Sequence, residues 1–557
     1  MFPPDPTKKT GFYSETIYLE ALKKYPSIST LITSKAEENG EKTCLVFQDG
    51  RKYSYRDIDS ISTNIALNLI TRGFRKSDNI AIFAYNSPEW IMAYFGIIKA
   101  GCVPVTVNTS FVKDPLIYNL QMTDIRSVFL DSRLARSYSD VESSLSKVDY
   151  VFLIGDDNAA EGIIKKKVEY YSDLTGDVRS GDNTGKLPEL IGKDPSAMIL
   201  TSGTTGRSKV VVESNAQFIA TALDMIDAGG VASGSRVYVY LPLFHIMALD
   251  LAVISAILAN STIYLVEKFN PPTFWKDVKR YGITHFHAVG PIFEMMIKQE
   301  SIPEEKDHPP IVAIAYSSKE IWTVAEERFR IRITGGYGGT EAGIPVTSAY
   351  SEVVNGLNPP GSCGKATPPY DVAIIDEYGF PVSNGAVGEI VIRSKLPWVT
   401  FLEYYKMPVN SLEAFSGLWF HTGDLGRYDD RGYIYFVDRA KDSIRRKGEN
   451  ISSFEVEQVI LKLEGVLETA VYPVPSRFGE DEVMLSVSRK NPQLTGEQII
   501  DYCVVNMPLF WVPNFIRFLD ALPKTPTGRI EKYKLREEGV TKDTQNMEKY
   551  IKEKIKN

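Results

Sequence analysis

Apolar runs of strand length alternate along this chain with stretches of helical period. Residues 80–84 read as a buried strand. Ser87 suits a helix N-cap, and Pro88 fits the first helical position, where its missing amide costs nothing. The helix runs to Gly101 and residues 103–107 supply the next strand, a βαβ unit whose strands are expected to be parallel and whose crossover right-handed. The rhythm recurs at 262–266 (strand), 273–281 (helix) and 283–288 (strand). It predicts an α/β domain with ligands at the loops that follow the strands.

Two polar stretches punctuate the pattern. Residues 171–193 carry Asp, Gly, Thr, Asn and Lys without apolar period and read as a surface linker. A β-rich stretch ends at 438–442, and a compact pattern starts after Asn450. There Ser452 and Glu455 suggest a capping box, Val456, Val459, Ile460 and Leu463 share one helical face, and Gly465 is the expected stop. That pattern predicts a small second α/β domain. From Thr541 onward the chain is rich in Lys and Glu and reads as a solvated helix or frayed tail. No internal repeat is evident.

Composition narrows the class. The 557 residues, 43% hydrophobic and 24% charged, can bury extensive cores. A net charge of -7 and the lack of a basic stripe with interleaved aromatics argue against nucleic acid as partner. Cys44, Cys102, Cys363 and Cys503 are far apart and form no CxxC pair, so reduced buried thiols are expected. The N-terminus lacks the pattern of a signal peptide and no apolar stretch reaches membrane-spanning length, which predicts a cytoplasmic protein. Of the five histidines, His285 and His287 alternate in a strand-like segment and read as satisfied sheet residues rather than ligands. Nothing in the pattern selects an oligomeric state.

The chemistry lies in glycine-rich punctuation. Thr201-Ser202-Gly203-Thr204-Thr205-Gly206-Arg207-Ser208-Lys209 follows an apolar run and reads as a polyphosphate cradle: glycines let amides turn toward an anion, hydroxyls add donors, and cations hold phosphate charge. Its spacing is not that of a Walker loop. In Gly335-Gly336-Tyr337-Gly338-Gly339-Thr340-Glu341 an aromatic ring suits a base, Thr340 can donate to phosphate, and Glu341 offers a hard oxygen for Mg²⁺. His421-Thr422-Gly423-Asp424 places an acceptor at a turn. A charged run, Val437-Asp438-Arg439-Ala440-Lys441-Asp442, follows it, then Lys447-Gly448-Glu449-Asn450, and near the end Pro523-Lys524-Thr525-Pro526-Thr527-Gly528-Arg529-Ile530.

This ordered set, TSGTTGRSK, GYGGTE, HTGD, DRAKD, KGEN and PKTPTGRI, resembles the adenylate-forming superfamily of acyl-CoA synthetases, luciferases and peptide-synthetase adenylation domains. Within it, LPLFHI at 241–246, FWKDV at 274–278 and KGENISSFEVE look similar to crotonobetaine/carnitine-CoA ligases. The resemblance implies an α/β fold: a large multi-lobed N-terminal domain of α/β subdomains over 1–440, a small α+β lid over 441–540 rotating about Lys441, and a charged tail over 541–557. It implies ATP, Mg²⁺ and coenzyme A as cofactors and a small carboxylic acid as substrate. It assigns catalysis to Arg529, Lys209, Thr204, Glu341 and His245, with Glu341 also the metal ligand. Thr201, Ser202, Gly203, Thr205, Gly206, Gly336, Tyr337, Gly338, Thr340, Asp424, Arg439, Lys441, Lys447 and Gly448 fall to cofactor binding. Tyr337 would take the adenine, Asp424 with Arg439 the ribose.

Two positions depart from the family pattern. Arg529 stands where a lysine normally bridges carboxylate and α-phosphate; it keeps the charge but not the compact shape, so Lys524 and Lys532 are alternative cations. Ser208 replaces the proline usual before the loop lysine. Two other readings stay open: a degenerate homologue that binds nucleotide without turnover, and a kinase-like phosphotransferase, which would release ADP and for which HRD and DFG signatures are missing.

Overall fold

The computed structural model describes residues 11–156, 162–176, 186–201, 209–440, 442, 444–446, 449–475, 481–524 and 528–556. Among them two large sheets form the first lobes. An eight-stranded sheet runs in the order Glu403–Tyr404, Lys209–Ser214, Pro195–Thr201, Val103–Thr106, Asn79–Phe83, Ser127–Asp131, Tyr150–Ile154, Lys167–Tyr170. The βαβ expectation holds: Asn79–Phe83 and Val103–Thr106 pair in parallel, joined by the helix Pro88–Lys99, whose N-cap Ser87 accepts the Trp90 amide. The second sheet has seven strands, Arg332–Thr334, Val312–Tyr316, His285–Val289, Arg236–Val239, Thr262–Leu265, Thr43–Phe47 and Lys52–Ser54, again mostly parallel. Arg236–Val239 lies between the two strands that the sequence rhythm singled out.

The helix Asn215–Gly229 is buried along its whole length. It packs under the hairpin of Gly336–Gly339 and Gly343–Thr347, and beside Leu249–Ile254, a π-helical stretch. A four-stranded antiparallel sheet, Tyr370–Ile375, Gly388–Ser394, Phe420–Tyr428 and Ile434–Arg439, forms the third lobe. Beyond it, Val466–Pro475, Asp481–Arg489, Phe515–Phe518 and Gln545–Asn546 make a separate small sheet. With the helices Ser453–Ile460 and Gly496–Asn506 it encloses its own core around Val456, Ile460, Val471, Leu485 and Ile500.

Three local expectations are corrected and a fourth is narrowed. The stretch 171–193 opens as a helix, Tyr171–Thr175, with Leu174 buried and its carbonyls taken by Asn64 and Asn68, because side-chain amides of a neighbouring helix satisfy it. Only half of the capping box forms: Ser452 Oγ accepts the Glu455 amide at 3.2 Å and donates to the Val437 carbonyl at 3.0 Å. That helix ends at Ile460, before Gly465, whose φ of +95° instead turns the chain into the strand Val466–Pro475. Of the two readings of the terminal segment, the helix is present, over Glu548–Lys556 and mostly exposed, whereas the frayed tail is not: Gln545–Asn546 pairs with Phe515–Phe518, and Met547 and Ile551 enter the small core. All four cysteines are free and buried, and no described helix is long and apolar enough to cross a membrane.

Candidate active site

The hairpin Gly336–Gly339/Gly343–Thr347 is built on backbone contact. A Cβ at Gly338 would lie 1.9 Å from the Gly343 carbonyl oxygen, and one at Gly335 2.1 Å from that of Ser362, so side chains cannot enter there. Gly336 differs, because the nearest atom to its Cβ position, on Ile344, is 3.5 Å away. Its bare face therefore leaves room beside the chain that the fold does not require. Tyr337 is buried against Phe436, and its hydroxyl donates to Asp424 Oδ2 at 2.8 Å. The Thr340 carbonyl accepts from Gln217 Nε2 at 2.8 Å, which ties the hairpin end to the buried helix.

Glu341 follows at once. Burial pushes its carboxyl up, while its own amide, the Tyr404 hydroxyl, Lys209 and Arg439 oppose that shift. Tyr404 donates to Glu341 Oε1 at 3.0 Å and Lys209 Nζ lies 4.1 Å from the Tyr404 ring centroid. These three side chains form one cluster because Tyr404 pairs with Val211 in the strand that begins at Lys209. Thr201 and Lys209 face each other across an antiparallel pair of strands, so the segment between them joins two strands rather than a strand and a helix. Ser202, Gly203, Thr204, Thr205, Gly206, Arg207 and Ser208 lie outside the described residues.

The opposite wall comes from the third lobe. Asp424 and Arg439 are register partners in adjacent strands, and Arg439 Nε lies 3.2 Å from Asp424 Oδ1. Burial pushes the Asp424 carboxyl up, and Arg439 and the Tyr337 hydroxyl pull it back toward ionisation. The turn before it is held by Glu389, which meets His421 Nδ1 at 2.8 Å and accepts the Gly423 amide at 3.0 Å.

The small domain brings Arg529 to this wall. The guanidinium is influenced by burial, Arg439 and Asp424, and its charge also acts on His245, whose imidazole burial and Arg529 together push down to about 4. The other two cations point elsewhere: Lys524 pairs with Glu468, and Lys532 reaches Glu457 at 2.9 Å and Ser453 Oγ at 2.6 Å. His245 stands at the N-cap position of the short helix Ile246–Ala248, without a capping bond from its side chain; that helix leads into the π-helical turns, a distortion frequent at functional sites. Lys441, Lys447 and Gly448 lie outside the described residues. Next to Lys441, Asp438 Oδ2 accepts from the Ser453 amide at 2.6 Å and its hydroxyl at 2.8 Å, fastening the small-domain helix to the large domain.

Sequence reasoning did not find Tyr404, Gln217, Glu389 or Asp438 in these roles. Tyr404 and Glu389 sit in ordinary strands and touch the motifs only through sheet pairing, so no local signal marks them. Gln217 carried no distinctive signal, since its helix also holds Asn215, Thr221, Asp224 and Asp227. The histidine pair behaves unevenly: His285 Nε2 meets the Gly229 carbonyl at 3.0 Å and Nδ1 meets Thr284, whereas neither nitrogen of His287 has a hydrogen-bond partner. His287 is thus not the satisfied sheet residue that the spacing predicts; it shares one face with His285, but the strands beside it offer no polar atom in reach.

Comparison with known proteins places this geometry. The AMP-binding enzyme model matches residues 32–405, and the model of the AMP-binding enzyme C-terminal domain matches 455–529. The chain is 27% identical over 522 residues to the crotonobetaine/carnitine-CoA ligase of Citrobacter koseri, covering 90% of this chain and 97% of the relative. It is 28% identical over 523 residues to that of Salmonella paratyphi C, covering 89% and 96%. Among solved structures, the anthranilate CoA ligase AuaEII in complex with anthranoyl-AMP superposes with a TM-score of 0.80 at 23% identity, over 92% of this chain and 97% of that one. ATP-bound MatB from Rhodopseudomonas palustris gives 0.79 at 23% identity, over 91% and 98%. With its large and small domains, its two glycine-rich segments and the charge of Arg529 acting on Asp424, the chain belongs to the AMP-binding enzyme family, as an adenylate-forming acid–thiol ligase of the acyl-CoA synthetase kind.

Proposed function

We propose that the protein activates a carboxylic acid with MgATP as acyl-AMP, releasing pyrophosphate, and then transfers the acyl group to the thiol of coenzyme A. The observation that carries this reading is Arg529, placed by the small domain beside Asp424, Arg439 and His245. A carboxylate nucleophile is already ionised near neutral pH, so the first step needs no general base and depends on positioning and on cations that offset charge at the α-phosphate. Arg529 is the cation in reach for that task, since Lys524 and Lys532 are engaged within the small domain. Lys209, with Thr201, Ser202, Gly203, Thr204, Thr205 and Gly206, would hold phosphates.

Glu341 fits a magnesium ion that arrives with ATP: it is a single hard carboxylate, and phosphate oxygens would complete the shell. Bound there, the ion would neutralise phosphate charge. Lys209 and Tyr404 keep the Glu341 carboxyl oriented and favour its ionised form against burial. Asp424 and Arg439 would meet the ribose hydroxyls, and Tyr337, whose hydroxyl already rests on Asp424, would flank the adenine. His245 is neutral and offers its unpaired Nε2 to the acid rather than a charge. For thiolysis, rotation about Lys441 would exchange the Arg529 loop for the Lys447-Gly448 segment.

The finer reading, a crotonobetaine- or carnitine-like acid, is supported by relatives at 27–28% identity. A panel of carboxylic acids with ATP, Mg²⁺ and coenzyme A, read by AMP and pyrophosphate release, tests both levels. Equal amounts of the two products with at least one acid are expected. ADP as main product would overturn the reading, and ATP binding without pyrophosphate release from any acid would favour the degenerate homologue.

A further inference from the structure

Away from the candidate site, the first lobe carries a cavity of about 690 Å³, within the size range of small-molecule pockets. Its position follows from the winding of the eight-stranded sheet. The chain passes from Asn79–Phe83 to Val103–Thr106 on one side and then crosses back to Ser127–Asp131 on the other, with both pairings parallel. The loops after Phe83 and Asp131 therefore part and open a crevice at the carboxyl ends of the strands, the place where doubly wound sheets bind ligands.

Each strand end contributes to the lining. Asn86 and Ser87 come from the first of these loops, Ser132 and Arg133 from the second, and Gly155 and Asp156 from the loop after Tyr150–Ile154. Tyr171 and Ser172 follow Lys167–Tyr170, and the second sheet closes the other side with Phe47 and Glu267, again at or just past strand ends. No described residue of the candidate site lines the cavity. The strand that carries Thr201 lies three strands from Ser127–Asp131, about 14 Å at the usual spacing.

Part of the polar lining is spent on the fold. Asn86 holds the Leu241 and Val266 carbonyls and the Leu243 amide, and Asp131 grips Arg133 through both oxygens at 2.9 and 2.8 Å. What remains is a set of hydroxyl donors and carboxylate acceptors. Ser87 Oγ accepts the Trp90 amide and Ser132 Oγ the Asp156 amide, both at 3.1 Å, so each hydroxyl keeps its own proton to donate. Glu89 and Glu267 each give one oxygen to a guanidinium, of Arg51 and Arg133, and have a second to offer. The Tyr171 hydroxyl rests on the Met92 sulfur, a weak acceptor, at 3.5 Å.

Charge decides against an anion. Glu89, Asp131, Asp156 and Glu267 line the cavity against two guanidiniums, each already held by two carboxylates: Arg51 by Asp49 and Glu89, Arg133 by Asp131 and Glu267. A phosphate would enter a negative field. A neutral ligand with adjacent hydroxyls fits better, because each hydroxyl can donate to a carboxylate and accept from a serine. The rings of Phe47 and Tyr171 line the same space and suit a flat, apolar part.

We propose that this cavity is a second ligand site, for an uncharged nucleoside: the ribose diol bonds to the carboxylates and serines at the strand ends, the base lies against the Tyr171 ring, and no phosphate enters. A carboxylate at the switch point of a doubly wound sheet meets ribose hydroxyls in the same way elsewhere. The proposal stands apart from the ligase reading. It inverts the preference expected of the candidate active site, where phosphates would add to binding.

The test uses the full-length protein with the candidate active site filled by saturating α,β-methylene-ATP and Mg²⁺, and titrates adenosine, 2′-deoxyadenosine and AMP by calorimetry. Adenosine is expected to bind once per chain, 2′-deoxyadenosine about fivefold or more weaker, and AMP about tenfold or more weaker. Ser172→Trp, which puts a bulky ring into the space, is expected to remove adenosine binding while affinity for the ATP analogue stays within about twofold, which also shows that the variant folds. Should it not fold, Glu89→Gln combined with Glu267→Gln evens the lining charge, and AMP is expected to gain on adenosine by about fivefold or more. The proposal is overturned by no adenosine binding beside the analogue, by AMP or 2′-deoxyadenosine binding the wild type as tightly as adenosine, by adenosine binding unmoved in Ser172→Trp, or by an unchanged ratio of AMP to adenosine affinity in the double variant.

Discussion

Glu341 and Arg529 face the same site from two sides, and the protein holds them in opposite ways. Glu341 stands on a glycine hairpin clamped from behind by Gln217, with Tyr404 bonded to its carboxylate and Lys209 over that ring. Arg529 arrives on a small domain with its own core; among the described residues, Asp438 with Ser453 and Phe454, Ser452 with Val437, and a long, exposed Lys462–Glu320 pair at 4.0 Å join it to the large one. Under the proposed two-step reaction, Glu341 would stay fixed by the core, whereas Arg529, proposed for acyl-AMP formation alone, would ride on a domain that turns away. Exposed ion pairs contribute little, so of these contacts the buried hydrogen bonds of Asp438 are the stronger.

Replacing Arg529 breaks the comparison most directly. Arg529→Ala is expected to slow acyl-AMP formation about a hundredfold or more, the usual cost of one charge-stabilising donor, while thioester formation from supplied acyl-AMP survives. Arg529→Lys should retain or raise the adenylation rate, because it restores a compact ammonium. A silent Arg529→Ala together with an inactive Lys524→Ala or Lys532→Ala, in single-turnover assays of each half-reaction, would move the cation to a neighbour.

On the fixed side, Glu341→Gln should depress adenylation by about tenfold to a hundredfold and raise the Mg²⁺ concentration for half-maximal rate, since an amide is a poorer ligand than a carboxylate. A Mg²⁺ titration with unchanged rate and midpoint would remove Glu341 from the metal. Tyr404→Phe is expected to cost about fivefold by removing one hydrogen bond to that carboxylate, with the loss in kcat rather than in the KM for the acid. An effect confined to thioester formation would mean that Tyr404 serves the moving side.

The smallest effect concerns the support under the hairpin. Because burial raises the Asp224 carboxyl, the folded protein keeps that proton to higher pH than the unfolded chain. Between the ordinary carboxylate pKa near 4 and the raised one, the folded state therefore binds more protons and stability falls as pH rises. Asp224→Asn removes this slope, up to about 1.4 kcal/mol per pH unit, so its stability relative to wild type should grow from pH 4 upward. Denaturant midpoints at pH 5 and 8 that shift equally would show that Asp224 is ionised in the fold.

The sequence by itself determined the parts that local physics writes down: the βαβ unit around Ser87 and Pro88, the change of pattern after Asn450, the glycine segments, and the order of motifs that identifies the family. These depend on period, capping and backbone freedom, which neighbours along the chain decide. Only the tertiary structure decided which of three nearby cations, Lys524, Arg529 or Lys532, meets Asp424, because each choice hangs on carboxylates far away in sequence, Glu468 and Glu457 among them. It also decided that Tyr404 belongs to Glu341, that the tail from Thr541 closes a core, and that Asp250, Glu213 and Asp224 gather where no lysine or arginine among the described residues pairs with them. Burial and pairing are properties of packed surfaces, and residues that pack together need not be neighbours in the chain.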